Sequence, residues 1–566
     1  MTMWNKLNAT RVTELNGMAM SRRTLLRRAA VAGLATPAIA GLLAACGEDD
    51  DVDDTADLGD TDDADDEEID VTDDADDVAE EDEPDADERR GGTLRIGLSG
   101  SAENFDPHHQ TQFDSIWVNG MMYNRLVRID PDMQPVPDLA HSWEQDDEAT
   151  EWTFQLHEGV MFHNGREMTA EDVVESFERL KDPDEGTAFA QQLDMIDSVE
   201  ATSDYEVVFH MDGSYADLLA VLGFYAFRII PIEDAENLAT EPVGTGPYKL
   251  LSHSPDERTV LERFDDYFLS DEEGFLDEIH YIKIEEETSR LTALTDGTVD
   301  LVNEVSPSSL PMIEGSPELE IEEIVTGSYH VFAMQADEEP FTDVNVRRAF
   351  KLVAERSEFV ETVLQGYGVE AADQPIPPND PMYGEVEIPD RNIEEAQQLL
   401  EEAGYGDGLQ IELHTTAGRV GLHEAGLTFQ EHASQAGIEV EVINHPVDSY
   451  WADVWMQRPF HMSNWGQRPN ADLAFTVAYV EGASWNESNW TNEEFEELLS
   501  EARGILDDDE RREVYREAQQ LLSDEGAVII PYFISVIGAW SNRVHGFALN
   551  PTRMVELHKV WIENGM

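Results

Sequence analysis

The chain has 566 residues, with 122 Asp and Glu against 35 Lys and Arg and a formal net charge of −87 at pH 7. Its length exceeds one ordinary domain and predicts two or three packed lobes. The charge repels phosphate, which excludes nucleic acids and anionic lipid surfaces as partners.

Ser21-Arg22-Arg23-Thr24-Leu25-Leu26-Arg27 is a twin-arginine pattern, followed by a weakly apolar run and by Leu43-Ala44-Ala45-Cys46, which holds the only cysteine. Basic residues, apolar run and small-residue box stand in the order of an export signal. A cysteine closing the box resembles the bacterial and archaeal lipobox, which implies that the thiol takes a diacylglycerol and becomes the new N-terminus. The alternatives are a transmembrane helix and a buried free thiol. Ala29 to Ala45 is short, rich in Ala and Gly, and broken by Pro37, a poor match to a hydrocarbon core of ~30 Å. Residues 1–46 are therefore expected to be a twin-arginine lipoprotein signal lipidated at Cys46, with Met1, Met18 and Met20 all open as the start. Lipidation would leave the exported body without disulfide or thiolate chemistry.

Residues 47–90 carry 26 acids, two bases and no aromatic residue. Such a segment cannot bury enough apolar surface to offset its ordering entropy, and it is expected to be a disordered, self-repelling tether. Its Asp runs lack the glycine turn and spaced ligands of a calcium loop. Residues 91–566 hold a further 95 acids and 27 bases, only five of them Lys. An acidic coat with few lysines is the compositional habit of proteins working in concentrated salt, where charges are screened over about 3 Å at 1 M.

The folded body opens with the alternating strand Thr93 to Leu98, the loop Gly100 to His109 and a helix over Ser115 to Leu126. Trp152 to Leu156 and Tyr205 to Met211 alternate as strands, with Asn164-Gly165 as a hairpin turn. Thr169-Ala170-Glu171-Asp172 is close to a capping box and starts a helix to about Leu180. This region, roughly 125–240, reads as a small mixed sheet of its own. Gly244-Thr245-Gly246-Pro247 supplies two positions permissive of positive φ before the strand Tyr248 to Ser252. It lacks the Lys-Ser or Lys-Thr and the helix of a phosphate cradle. Strands at Thr259 to Arg263 and Ile279 to Ile284, a helix at Thr288 to Asp296 and a strand at Asp300 to Val302 follow. Beyond Tyr329 to Met334 the pattern becomes that of α/β units. Helices are expected at Asp343–Val353, Ser357–Leu364, Ile393–Ala403, Asn492–Ile505 and Asp508–Glu525, and strands at Gln410–His414, Ile438–Ile443 and Ala527–Tyr532.

Three phrases in this order, "YNRLVRIDPDMQPVPDLAHSWE" from Tyr123, "WTFQLHEGVMFHNGREMTAEDVVESFERL" from Trp152 and "VGTGPYKL" from Val243, resemble the family 5 extracellular solute-binding proteins. These are the dipeptide-, oligopeptide- and nickel-type receptors of ABC importers. "LTALTDGTVDLV", "DVNVRRAFKLVAERSEFVETVLQGYG", "IPPNDPMY" and "AQQLLEEAGY" extend the resemblance over about 93–560. It implies an α/β, periplasmic-binding-protein-like fold of two lobes with a hinge and an interlobe cleft, plus a small α+β subdomain in the first lobe. The expected division is a first lobe over 91–327, a second lobe over 328–526, and a return to the first lobe over 527–566. Crossings near Ser328 and Gly526 would form the hinge, about which such receptors close.

The expected ligand loop is Asn464-Trp465-Gly466-Gln467-Arg468-Pro469-Asn470-Ala471-Asp472. Trp offers a flat apolar face, Gly lets backbone amides approach, and Arg offers a bidentate donor fork. In the family's peptide receptors an aspartate often follows this Trp-Gly and holds the ligand's α-amino group. Here Arg468 stands about there, with Asp472 four residues later. Arg419 falls near a position that holds a peptide carboxylate in dipeptide-type receptors. Asn104 and Phe105 lie in an opening loop that resembles one facing the cleft. The candidate ligand contacts are thus Asn104, Phe105, Arg419, Asn464, Trp465, Gly466, Arg468 and Asp472, and two arginines among them point to a ligand with a carboxylate or other anionic group. The adjacent pair His108-His109 is open to metal ligation or to simple solvation, and no cofactor is expected.

No G-x-S-x-G, H-E-x-x-H or CxxC pattern occurs, which disfavours an exported lipoprotein hydrolase. A stand-alone surface or chemosensory binding module is the remaining alternative. The expected function is a monomeric, non-enzymatic receptor on the outer face of the cytoplasmic membrane. It would be held only by its lipid and would deliver a peptide or other polar organic solute to the transmembrane subunits of an ABC permease.

Overall fold

The computed structural model describes residues 85–563 other than 111, 186 and 188, so the expected signal, Cys46 and the tether as far as residue 84 lie outside the described residues. The end of the expected tether is packed on the body. Asp85 caps the short helix Ala86–Arg89, Arg89 lies over the Phe275 ring at 4.4 Å, and Arg90 donates to the Ser270 carbonyl at 2.6 Å. The packed body therefore includes residues before Gly91, because Arg89 and Arg90 of an otherwise acidic stretch find partners on the first lobe.

One twelve-stranded sheet runs through the molecule. Its main path is Ile438–Asn444, Leu409–Thr415, Phe460–Trp465, Leu319–Met334, Tyr532–Ser541, Leu301–Val302, Thr93–Leu98, Glu278–Lys283, Arg258–Arg263 and Tyr248–Ser254. The first three belong to the second lobe and the last five to the first. The two long central strands, paired antiparallel, pass through both. Within Leu319–Met334 the register slips between Val325 and Ser328. There Thr326 Oγ1 donates to the Ile534 carbonyl at 2.7 Å and accepts from the Ser328 amide at 3.1 Å. A bulge bends a strand and raises its twist, so this is where the lobes diverge.

The second crossing comes later than Gly526. Val528–Ile529 still pairs with Phe332 and Ala333, and Tyr532 and Phe533 belong to the second-lobe core. Pro531 interrupts the apolar run, and the chain passes to the first lobe within Tyr532–Ser541, opposite the bulge. The first half of Leu319–Met334 escapes a sequence reading because glutamates and apolar residues share both faces there, leaving none of Leu319 to Val325 fully buried.

The first lobe carries the expected subdomain, a four-stranded antiparallel sheet in the order Ala140–Gln145, Glu151–Leu156, Glu206–Met211, Ile196–Ser203. The helix Ala170–Lys181 starts at a capping box in which Thr169 and Asp172 satisfy each other's backbone amides. Its Val173, Phe177 and Leu180 fill the subdomain core. Gly244 and Gly246 are needed for a different reason from the one expected: neither has positive φ. A Cβ on Gly244 would lie 2.1 Å from the Met122 carbonyl oxygen, and one on Gly246 would lie 2.5 Å from that of Met121. Close backbone approach, sealed by Gly246 N–H donating to Met122 at 3.0 Å, decides these positions.

In the second lobe, helices Val344–Val353, Leu422–Ser434 and Asp508–Glu525 pack on an aromatic core in which Phe332 lies 5.0 Å from Phe429 and Phe350 5.5 Å from Phe460. Among the described residues no helix is long and apolar enough to cross a membrane.

Candidate functional site

The strand Phe460–Trp465 ends with Trp465 opposite Tyr329, just past the bulge of the long strand. The chain then turns through Gly466 to Asn470, whose side chain caps the helix Ala471–Thr476 by accepting the Leu473 amide at 3.0 Å. This loop, together with Gly327, Tyr329 and the segment Pro375-Ile376-Pro377, lines a partly open cavity; Asp380 and Ala474 complete the lining. It lies at the lobe boundary. Gln467 Nε2 reaches Met133 Sδ of the first lobe at 3.5 Å, and Asn470 Nδ2 donates to Tyr215 Oη at 3.1 Å.

A seam beside the loop holds the lobes together. Asp217 of the subdomain accepts Tyr515 Oη at 3.1 Å and pairs with Arg511 Nε at 3.1 Å, and the Ala216 amide donates to the Arg503 carbonyl at 2.9 Å. Leu473 of the second lobe packs into the subdomain's core.

Arg468 is the distinctive group of the cavity. Its guanidinium carbon stands 5.1 Å from the Trp465 ring centre and 5.6 Å from that of Trp485. Among the described residues it has no carboxylate within ion-pair range, and its Nε is buried without an acceptor. Burial holds the guanidinium below the usual arginine pKa. Tyr225 of the first lobe is close enough that this charge works against the burial that pushes its phenol up to about 12. A half-buried cation without a partner is costly unless something else neutralises it. The arrangement can bind an anion against two aromatic walls. At Gly466 a Cβ would meet nothing within 4 Å, so no protein contact demands glycine there and the adjoining space is open. Across the cavity, Asp380 accepts the Met382 amide at 2.8 Å and is pushed by burial up to about 7.

Of the eight expected contacts, Trp465, Gly466 and Arg468 line this cavity. Asn464 points outward from the strand. Asp472 is buried and paired with Arg503 at 2.8 Å; burial pushes its carboxyl up to about 6 in spite of that partner. Arg419 lies on an exposed loop, over the Trp451 ring at 5.6 Å. Phe105 is part of the first-lobe core, edge-on to His253 at 4.9 Å, and Asn104 caps the Asp106 amide at 2.8 Å. These five stand outside the lining.

His108 Nε2 donates to the Arg228 carbonyl at 2.8 Å and Nδ1 accepts from Arg179 at 3.1 Å, so both ring nitrogens have protein partners. His109 bonds Asp106 at 3.1 Å and the Glu185 carbonyl at 2.9 Å. The pair is thus tied into a hydrogen-bonded network rather than left to solvent, and no group of metal-holding side chains occurs among the described residues.

Sequence reasoning missed Tyr329, Asp380, Tyr225, Trp485 and Glu487. The proline run Pro375 to Pro378 ahead of Asp380 was an available signal, since so rigid a segment between two elements is suited to form a wall.

Residues 134–487 match the sequence profile of the bacterial extracellular solute-binding proteins, family 5. The heme-binding protein A of Haemophilus influenzae is 28% identical over 468 residues, covering 76% of this chain and 85% of that one. The oligopeptide-binding protein AppA of Bacillus subtilis is 26% identical over 514 residues, covering 84% and 92%. In three dimensions the chain resembles HbpA2 of Haemophilus parasuis, with a TM-score of 0.77 at 21% identity, over 84% of this chain and all of that one.

Proposed function

Because the chain belongs to the bacterial extracellular solute-binding proteins of family 5, we propose that it captures a polar organic solute bearing an anionic group in its interlobe cleft. The closed lobes would then present that solute to the transmembrane subunits of an ABC importer. Members of this family are transport receptors and not enzymes, and binding by lobe closure needs only a difference in affinity between open and closed states.

The observation that carries the reading is Arg468, a guanidinium without a carboxylate partner among the described residues of a chain with 122 acids. The two relatives are named for heme and for oligopeptides, so family alone does not select a ligand. A cation about where peptide receptors often carry an aspartate favours an anionic group at that end of the solute. Native mass spectrometry of protein purified from its own cells tests this. A retained solute with a carboxylate or comparable anion, absent from Arg468→Ala protein, is expected; a retained neutral or purely cationic solute overturns the reading.

The leader supports export by the twin-arginine route and a lipid anchor at Cys46, which would hold a monomeric receptor on the outer face of the cytoplasmic membrane. Cys46→Ser is expected to release the protein or block its processing, and normal processing with unchanged membrane retention would refute the anchor. The acidic coat supports a salt-requiring fold, for which a melting temperature equal in molar and millimolar salt would be the contrary result.

A further inference from the structure

Arg468 is placed by rings, and one of those rings is itself tethered. Side chains alternate along a strand, so His461, Ser463 and Trp465 of Phe460–Trp465 share a face. All three converge on one carboxylate. Trp465 Nε1 donates to Glu487 Oε1 at 2.7 Å and Ser463 Oγ to the same oxygen at 2.9 Å, while His461 Nε2 lies 3.6 Å from Oε2. A second indole, that of Trp455, donates to Oε2 at 2.6 Å. Glu487 is 1% exposed, and among the described residues no Lys or Arg pairs with it. A buried carboxylate satisfied by two indoles and a hydroxyl is an expensive way to fill a core, and the nearby His461 Nε2 accepts the Met456 amide at 3.3 Å and so gives it no proton.

We infer that Glu487 is a positioning residue for Arg468, acting through the Trp465 indole; the inference rests on the reading of Arg468 as the anion contact. Charge-assisted hydrogen bonds are shorter and about twice as strong as neutral ones, so the carboxylate fixes the tilt of the Trp465 ring. Drawing the indole proton toward a negative oxygen also makes the ring face richer in electrons, which strengthens its attraction for the cation above it. Trp485 meets the edge of the same ring, with centroids 6.0 Å apart and planes at 63°, and forms the second wall. Having no hydrogen bond of its own among the described residues, the guanidinium is aimed by these two rings alone.

Heteronuclear NMR of the full chain labelled in Trp and Arg tests this. In Glu487→Gln, which keeps shape but not charge, the indole N–H resonances of Trp455 and Trp465 should move upfield, and the Arg468 Nε–H resonance should move with them. In a Trp465→Phe background, which keeps a flat ring without the N–H, Glu487→Gln should leave Arg468 unmoved. Arg468 unmoved in the single variant, or moved equally in both backgrounds, overturns the inference. Should Glu487→Gln not fold, Glu487→Asp, whose carboxylate is too short to reach both indoles, reads the same resonances. Titration with sodium acetate examines the anion assignment separately. A shift of Arg468 Nε–H supports it and no shift refutes it, whichever way the Glu487 variants behave.

Discussion

The backbone N–H of Gly327 donates to Gln467 Oε1 at 2.9 Å, so the bulge where the chain first crosses between lobes is tied directly to the loop that carries Arg468. A Cβ on residue 327 would stand 2.8 Å from both Cβ and Cγ of Gln467. That clash is with the root of the side chain and not its flexible end.

Gly327→Ala is therefore expected to act sterically, displacing the 466–470 loop. Overpacking of this kind destabilises by about 1–3 kcal/mol, measurable by urea unfolding. Adding Gln467→Gly, which removes both clashing atoms, should recover part of the loss, and full stability of the single variant would show that the loop yields freely.

As the proposed anion contact, Arg468 is expected to trade stability for binding. Its desolvation is not repaid by a partner among the described residues, so Arg468→Met should raise the melting temperature while abolishing retention of the copurifying solute. Arg468→Lys should not restore retention, because an ammonium lacks the planar, forked donor set of a guanidinium held between two aromatic rings. A lowered melting temperature in Arg468→Met would contradict the unpaired-charge account.

Asp380 sets a pH dependence of definite sign. The folded protein keeps this carboxyl protonated up to about 7, against an ordinary value of 3.8. The folded state thus binds more protons between those values, and stability falls as pH rises through the window, by up to about 1.4 kcal/mol per unit. Asp380→Asn removes the term. It should melt higher than the parent at pH 8 and equally at pH 4; no difference at pH 8 would place the ionised carboxylate in a better-solvated site than its burial indicates.

Buried histidines act the other way. His108, His163 and His330 are each held by burial down to about 4. The unfolded chain takes up these protons near 6.5 and the folded one does not, so stability is present above 6.5 and is lost as pH falls toward 4. His330, bonded to Tyr532 Oη at 2.7 Å, offers the cleanest deletion. His330→Gln should flatten the slope of stability against pH between 6 and 4.5 by nearly one proton, read from urea midpoints, and equal slopes would show that His330 titrates normally.

Much of this architecture follows from local chemistry. Asp343, Asn392 and Asn492 cap helices where the sequence places them, because a side chain two or three residues from an amide acts without tertiary help. The same holds for Thr93–Leu98 and for the helix Asp508–Glu525, whose boundaries match. Sequence by itself determined the acidic composition, the family and the two-lobed α/β fold class. Only the tertiary structure decided the partners. Asp472 is taken up by Arg503, Phe105 by the core, and Arg468 by no carboxylate among the described residues. Glu487 emerges as the anchor of an indole 22 residues away. In a chain with so many acids, composition predicts a partner for every arginine. Which guanidinium goes without depends on how strands from both lobes converge, and spacing along the chain does not encode that.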